Sequence, residues 1–214
     1  MRVFVAGASG FVGLALARHL LAQRHEVIGL TRTLKGVKQL LDLGARPVSA
    51  DVLNPPVYRR HLAGADALIH LAAWRAGENT PIGISDPARM ERINVGGTRA
   101  VLQAALEAGV PRILHVSDLA VYGDTGAQPL PDGAEPSGRG LLNEYERSKW
   151  RAHVAARVLQ QNGSGLMIAA PGRIYGPRAT GPFAGTLRRY ARGQLPLLAG
   201  PEAAYGWAHV ADVA

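Results

Sequence analysis

The residues with the most evident chemical potential are Tyr145 and Lys149 in "NEYERSKW" (143–150). Four residues apart on a helix, a phenol and an ammonium lie side by side on one face. Of the six tyrosines, Tyr145 alone has a lysine four positions on. The spacing fits a catalytic pair, and equally two ordinary residues on the surface of an amphipathic helix. A second constellation is "VAGASGFVG" (5–13), with Gly7, Gly10 and Gly13 between an apolar run and a helical one. Glycine there makes a tight turn and lets backbone approach a diphosphate, and the helix N-terminus that follows faces an anion with free N–H groups. The third is "LTRTLK" (30–35), at the end of the next apolar run. An acidic residue at that point reads a ribose 2′-hydroxyl, and a basic one accommodates a 2′-phosphate. Here Thr31 stands where the acid would, followed by Arg32 and Lys35, which favours NADP over NAD; solvated loop charges are the alternative.

Positioning such groups requires a scaffold, and the chain alternates strand and helix throughout. Strands are predicted at 2–7, 26–31, 45–51, 65–73, 112–118 and 165–171. Helices are predicted at 11–23, 37–44 (closed by Gly44), 56–64, 87–109, 142–161 and 185–193. Gly96–Gly97 is the weak point of the fourth helix, and a Gly, Pro and Asp-rich loop spans 123–140. The run "ADALIHLAA" is nearly all apolar, as befits a strand buried on both faces. Connections too long for hairpins imply parallel strands with helices on both faces, an α/β doubly wound, Rossmann-like sheet. The expected organisation is a dinucleotide-binding domain at 1–171 and a small, incomplete substrate-binding region at 172–214.

Composition narrows the function further. With 47% apolar and 19% charged residues the chain is that of a soluble globular protein, and no run is long enough to cross a bilayer. The N-terminus does not resemble a signal peptide, and the absence of cysteine excludes disulfides, thiolate metal sites and cysteine nucleophiles. A cytoplasmic location is the default expectation. The formal charge of +8 invites a nucleic-acid reading, but the basic residues are scattered, the densest groups being the pairs at 59–60 and 188–189. An anionic small molecule is the better-supported partner. None of the seven histidines has the spacing of a helical metal site; His70 and His209 suit structural or hydrogen-bonding roles, and no metal is expected.

With these residues in view, the chain resembles the extended short-chain dehydrogenase/reductase family, the NAD(P)-dependent epimerase/dehydratase group. "GASGFVG" looks like its cofactor loop, which brings Ser9, Phe11 and Val12 into the cofactor site beside the glycines. "ADV" resembles the segment whose Asp51 and Val52 meet the adenine, and "HLAA" the segment in which Leu71, Ala72 and Ala73 pass the cofactor. "NVGGT" is similar to the Asn/Gly motif that begins at Asn94, "VYG" (121–123) to a further signature, and "YERSK" to the catalytic Y-x-x-x-K. "PGRIYGP" places Pro171, Gly172, Arg173 and Ile174 near the nicotinamide amide, Val116 counts with the cofactor-facing residues, and "WAHVADVA" resembles a late family signature. The resemblance implies that Tyr145 is the general acid/base. A free phenol ionises near pH ~10, and Lys149 would favour the phenolate by charge while holding the nicotinamide ribose.

Three departures accompany the likeness. The family's Ser or Thr four residues before the Tyr of "VYG" is replaced by Asp118. Ser117 is one residue early and on a strand would point to the other face. An ionised Asp118 beside Tyr145 would oppose the phenolate, whereas a buried, protonated one would donate as the hydroxyl does. The acid/base pair of the family's 4,6-dehydratases is replaced by Leu119 and Ala120, which disfavours dehydration. The chain stops at "HVADVA", earlier than the family pattern, leaving Arg173, Arg178 and the 123–140 loop as candidates for substrate contacts. The expected activity is NAD(P)-dependent hydride transfer to or from a secondary alcohol or ketone, in a reductase or an epimerase, with a nucleotide sugar among the substrates considered. The competing expectation is a cofactor-binding sensor with little turnover. A homodimer is possible on the resemblance.

Overall fold

The computed structural model describes residues 1–75, 86–126, 130–131, 133–161, 165–179, 182–194 and 206–214. Six strands, β1 (Arg2–Ala6), β2 (Glu26–Thr31), β3 (Arg46–Ser49), β4 (Ala67–His70), β5 (Ile113–Val116) and β6 (Leu166–Ala169), form one sheet in the order β3-β2-β1-β4-β5-β6. Every pairing is parallel. The intervening helices are α1 (Phe11–Ala22), α2 (Leu34–Leu43), α3 (Pro55–Leu62), α4 (Pro87–Met90), α5 (Gly97–Glu107) and α6 (Glu144–Gln161). This is the doubly wound parallel sheet that the alternation predicts. The chain builds outward from β1 in one direction through β3, then returns to the other side of β1 with β4. The crevice at the strand C-termini therefore opens between β1 and β4, where such sheets bind ligands.

The two cores follow from period-two burial on the central strand. Val3 and Val5 pack with Leu16, Leu20, Val27 and Leu40 under α1 and α2. Phe4 and Ala6 face the other layer, with Ile28, Tyr58, Leu68, Leu102 and Ile113 under α3 and α5. Burying each such large side chain stabilises the fold by roughly 1.5–3 kcal/mol, so the sheet is a rigid platform for the loops at its end.

Helix and strand limits depart from the expected ones where side chains intervene. α2 begins earlier than the predicted 37, because Thr33 caps it, its hydroxyl accepting from the Gly36 N–H at 3.0 Å. β4 ends at His70, so Leu71–Ala73 form the loop beyond it. The helix predicted across 87–109 is broken by a π-turn, Glu91–Gly96, between α4 and α5. β5 ends at Val116, and Asp118 caps a 3-10 turn at Leu119–Tyr122, its Oδ1 accepting from the Ala120 N–H at 3.0 Å. A second, two-stranded parallel sheet joins β7 (Arg173–Tyr175) to β8 (Trp207–His209), with α7 (Pro182–Ala191) between them and α8 (Val210–Val213) after. Of the 123–140 loop, residues 127–129 and 132 lie outside the described residues; the remainder carries no helix or strand.

Candidate active site

The glycine loop lies on the crevice. Gly7 turns with φ of 87°, and a Cβ there would come within 2.7 Å of the Ala72 nitrogen. Only glycine lets the loops after β1 and β4 approach this closely. A Cβ on Gly13 would overlap the Gly7 carbonyl oxygen, so α1 packs directly against the turn. Gly10 is extended at the helix N-cap and no side chain caps α1. The first-turn N–H groups of Phe11, Val12 and Gly13 are thus left to a ligand, at the positive end of the helix. A cradle that a Cβ would fill, ending in an uncapped helix, suits the diphosphate of a dinucleotide.

From this loop a cleft of 690 Å³ runs to Tyr145 and Lys149. Its walls include Gly7, Gly10, Phe11, Val12, Gly13, Leu71, Ala73, Val116, Ser117, Asp118 and Pro171–Ile174. Sequence-distant residues predicted for one site are therefore brought together. The Tyr145 hydroxyl donates to Asp118 Oδ2 at 3.1 Å. Lys149, only 5% exposed, donates from Nζ to the Val116 carbonyl at 3.2 Å. Burial pushes the Lys149 ammonium below its ordinary range, and the Asp118 carboxylate pulls back in the opposite direction. Ser117 pairs through Oγ with Nδ1 of His153 at 2.9 Å, and His153 is not a wall of the cleft. The hydroxyl one residue early is thus engaged elsewhere, and the carboxylate occupies the position facing Tyr145.

The residues expected on the adenosine side lie at the ends of β2 and β3. Thr31 is buried and its Oγ1 lies 2.7 Å from Ser9 Oγ, so the two hydroxyls satisfy each other. Arg32 Nη1 stands 3.6 Å from Asp51 Oδ2, while Asp51 Oδ1 accepts from the Leu53 N–H at 2.9 Å. Val52 is buried in the core. Lys35 lines an adjoining hollow together with Ser9, Thr33, Arg18 and Arg178.

Asn94 is 1% exposed and stands apart from the cleft walls. Its Oδ1 accepts from the Trp74 N–H at 2.6 Å. Its Nδ2 donates to the Trp74 carbonyl at 3.0 Å and to Ser148 Oγ at 2.8 Å. Sitting in the π-turn, it ties the loop after β4 to the helix that carries Tyr145 and Lys149. Ser148 in turn donates to the Tyr145 carbonyl at 2.8 Å. Asn94 is therefore placed as a strut between site elements.

Two features escaped the sequence reading. Arg75 lines the cleft and sets its guanidinium carbon 4.7 Å from the centroid of the Tyr145 ring. The only hint was its place two residues past "HLAA". His70 and His115, register partners on β4 and β5, stack at 5.3 Å with both rings buried. His70 Nε2 pairs with Thr98 Oγ1 at 3.0 Å, but His70 Nδ1 and both His115 nitrogens have no partner among the described residues. Burial drives His70 down to about 3 and lowers His115 well below the usual histidine range, with Lys149 adding to both shifts. No sequence pattern marks such a pair, because it depends on which strands become neighbours. His209, by contrast, caps α8 through Nδ1, which accepts from the Ala211 N–H at 3.3 Å. Among the described residues no cluster of His, Asp and Glu could hold a metal, and no helix is long and apolar enough to cross a membrane.

Comparison with known proteins follows the same lines. The NAD dependent epimerase/dehydratase family model matches residues 3–214. A farnesyl-dihydroquinoline-oxide ketoreductase of Stigmatella aurantiaca is 33% identical over 178 residues, 82% of this chain and 51% of its own length. A UDP-glucose 4-epimerase of Streptomyces lividans is 31% identical over 137 residues, 62% of this chain and 40% of its own. The structure of a dTDP-glucose 4,6-dehydratase from Streptomyces venezuelae, with NAD bound, superposes with a TM-score of 0.78. It is 28% identical, over 98% of this chain and 68% of that one. The chain thus spans about half the length of the curated relatives it matches.

Proposed function

The chain belongs to the NAD dependent epimerase/dehydratase family, and from that we propose that it is an NADP-preferring oxidoreductase or epimerase acting on a secondary alcohol or ketone. The observation that carries the reading is the single cleft running from the glycine loop to Tyr145 and Lys149. The dinucleotide, when bound, supplies or accepts the hydride. The α1 N-terminus and Gly7–Gly13 hold its diphosphate, Asp51 and the Leu71–Ala73 loop border its adenosine and ribose, and Arg32 with Lys35 hold the 2′-phosphate. Lys149 holds the nicotinamide ribose and favours the ionised phenol. Tyr145 gives its proton to the carbonyl oxygen on reduction and takes the hydroxyl proton on oxidation.

Arg75, Arg173, Arg178 and Arg188 line the same cleft, which favours a substrate bearing phosphate or carboxylate, such as a nucleotide sugar. Leu119 and Ala120 offer no proton-transfer group beside Asp118, which disfavours dehydration. Replacing Tyr145 with Phe tests the proposal: turnover should fall by roughly 10²–10⁴-fold, while NADPH affinity measured by fluorescence stays unchanged. Turnover retained in that variant would move the chemistry to another group. A second reading, a sensor that binds cofactor without turnover, is favoured by the tie between the Tyr145 hydroxyl and Asp118. Tight NADPH binding without hydride transfer across alcohols, ketones and nucleotide sugars would select it.

A further inference from the structure

Tyr145 is held between opposite charges. At its hydroxyl lies the Asp118 carboxyl, 3.1 Å from Oη. Over its ring lies the Arg75 guanidinium, 4.7 Å from the centroid. The two act in opposite directions. A carboxylate that accepts from the phenol favours the protonated form, because ionising the phenol sets two negative oxygens against each other. A cation above the ring favours the phenolate, whose π-face carries more negative charge than that of the phenol. Where the family resemblance leads one to expect a neutral hydroxyl, this chain has an acid, and it also has a cation on the ring.

Arg75 is not placed there by chance of side-chain rotation alone. The residue before it, Trp74, is 5% exposed and has both its backbone N–H and its carbonyl clamped by Asn94. The Arg89 guanidinium packs on the Trp74 ring at 4.8 Å. Asn94 also bonds Ser148, which lies between Tyr145 and Lys149 on α6. The backbone from which Arg75 projects is therefore fixed relative to the helix that presents Tyr145.

We propose that Arg75 is a positioning residue for Tyr145, its guanidinium offsetting the Asp118 carboxylate so that the phenol can still release its proton. Lys149 also favours the phenolate, from its own helix, and Arg75 adds a second cation, over the ring, to meet the charge of Asp118. Lys149, on the same helix, is engaged with the Val116 carbonyl. Glu146, also on α6, accepts from the Leu142 N–H and from Asn143 Nδ2 at the helix start. Arg173, Arg178 and Arg188 line the cleft from the segments after β6. The inference rests on the proposed proton-relay role of Tyr145, but its test is independent of turnover.

The test is a pH titration of the full chain, free of cofactor, labelled at tyrosine Cζ with carbon-13 and followed by NMR. The resonance lost in Tyr145→Phe identifies Tyr145. Arg75→Ala should raise the Tyr145 midpoint by about one pH unit, the low end of what removing a nearby charge opposite in sign to the phenolate implies. Arg75→Lys should restore a good part of the shift, and Asp118→Ser should lower the midpoint. An unmoved midpoint in both Arg75→Ala and Arg75→Gln would overturn the proposal, as would a Lys variant displaced as far as the Ala one. Failure of the relay reading would show separately, as turnover retained in Tyr145→Phe.

Discussion

The Tyr145 hydroxyl donates to Oδ2 of Asp118 at 3.1 Å, while Oδ1 of the same carboxylate caps the turn at Leu119–Tyr122. One side chain thus holds both the proposed proton donor and the loop opposite it. Substituting serine keeps a capping oxygen and removes the negative charge. Asp118→Ser should move the rising, acid-side limb of the pH–rate profile for alcohol oxidation down by about one pH unit, a roughly tenfold gain in rate at pH values below that limb's midpoint. Asp118→Ala, which also loses the cap, should lower stability by about 1 kcal/mol in chemical denaturation.

Arg32 and Asp51 stand 3.6 Å apart and both are partly exposed, so their mutual attraction is weak and leaves Arg32 available to a phosphate. Arg32→Ala should weaken NADPH binding by roughly 10–100-fold, the size of a lost charge-assisted contact, and NADH binding far less. Equal losses for the two cofactors in Arg32→Ala would sink the assignment of the 2′-phosphate to this residue.

The buried histidines make the fold acid-sensitive. His70 has an ordinary value of 6.5 when unfolded and about 3 when folded. The unfolded chain therefore binds a proton that the folded chain refuses, and stability falls as pH drops from 6.5 toward 3. By pH 5 the loss from His70 alone is about 2 kcal/mol, with His115 shifted in the same direction. Urea denaturation across pH 7.5 to 4.5 should show this slope. His115→Leu removes two unpartnered ring nitrogens and should flatten it at little or no cost at pH 7.5.

Asn94 satisfies three buried hydrogen bonds from one side chain. Asn94→Ala leaves the Trp74 N–H and carbonyl without partners and should destabilise the chain by roughly 2–4 kcal/mol. Asn94→Asp keeps the acceptor toward the Trp74 N–H but buries a carboxylate oxygen against the Trp74 carbonyl, and should destabilise at least as much as the alanine variant. Thermal denaturation of both variants checks the order.

Much of this molecule was readable in one dimension because its signals are local. Alternation of apolar runs with helical periods marks six parallel strands, and the glycines at 7, 10 and 13 mark a turn that admits no side chain. Tyr145 and Lys149 are one helical turn apart whatever else surrounds them. Helix limits were less legible where a side chain decides them, as Thr33 does for α2 and Asp118 for the turn after β5. The π-turn around Asn94 was visible only as a weak glycine pair. Its form depends on Trp74 and Ser148, which are 20 and 54 residues away.

The sequence by itself determined the architecture, the glycine loop, the Tyr–Lys pair and the departure at Asp118, since each is carried by residue type and short-range spacing. Only the tertiary structure decided which charges Tyr145 meets. Asp118 follows β5, Arg75 follows β4 and Tyr145 stands on α6, so their contact exists only after the sheet sets β4 beside β5 and α6 packs across the strand ends. Electrostatic interactions fall with distance in space and take no account of separation along the chain. The chemistry available to the pair is therefore set by a neighbour that the spacing of the pair cannot reveal.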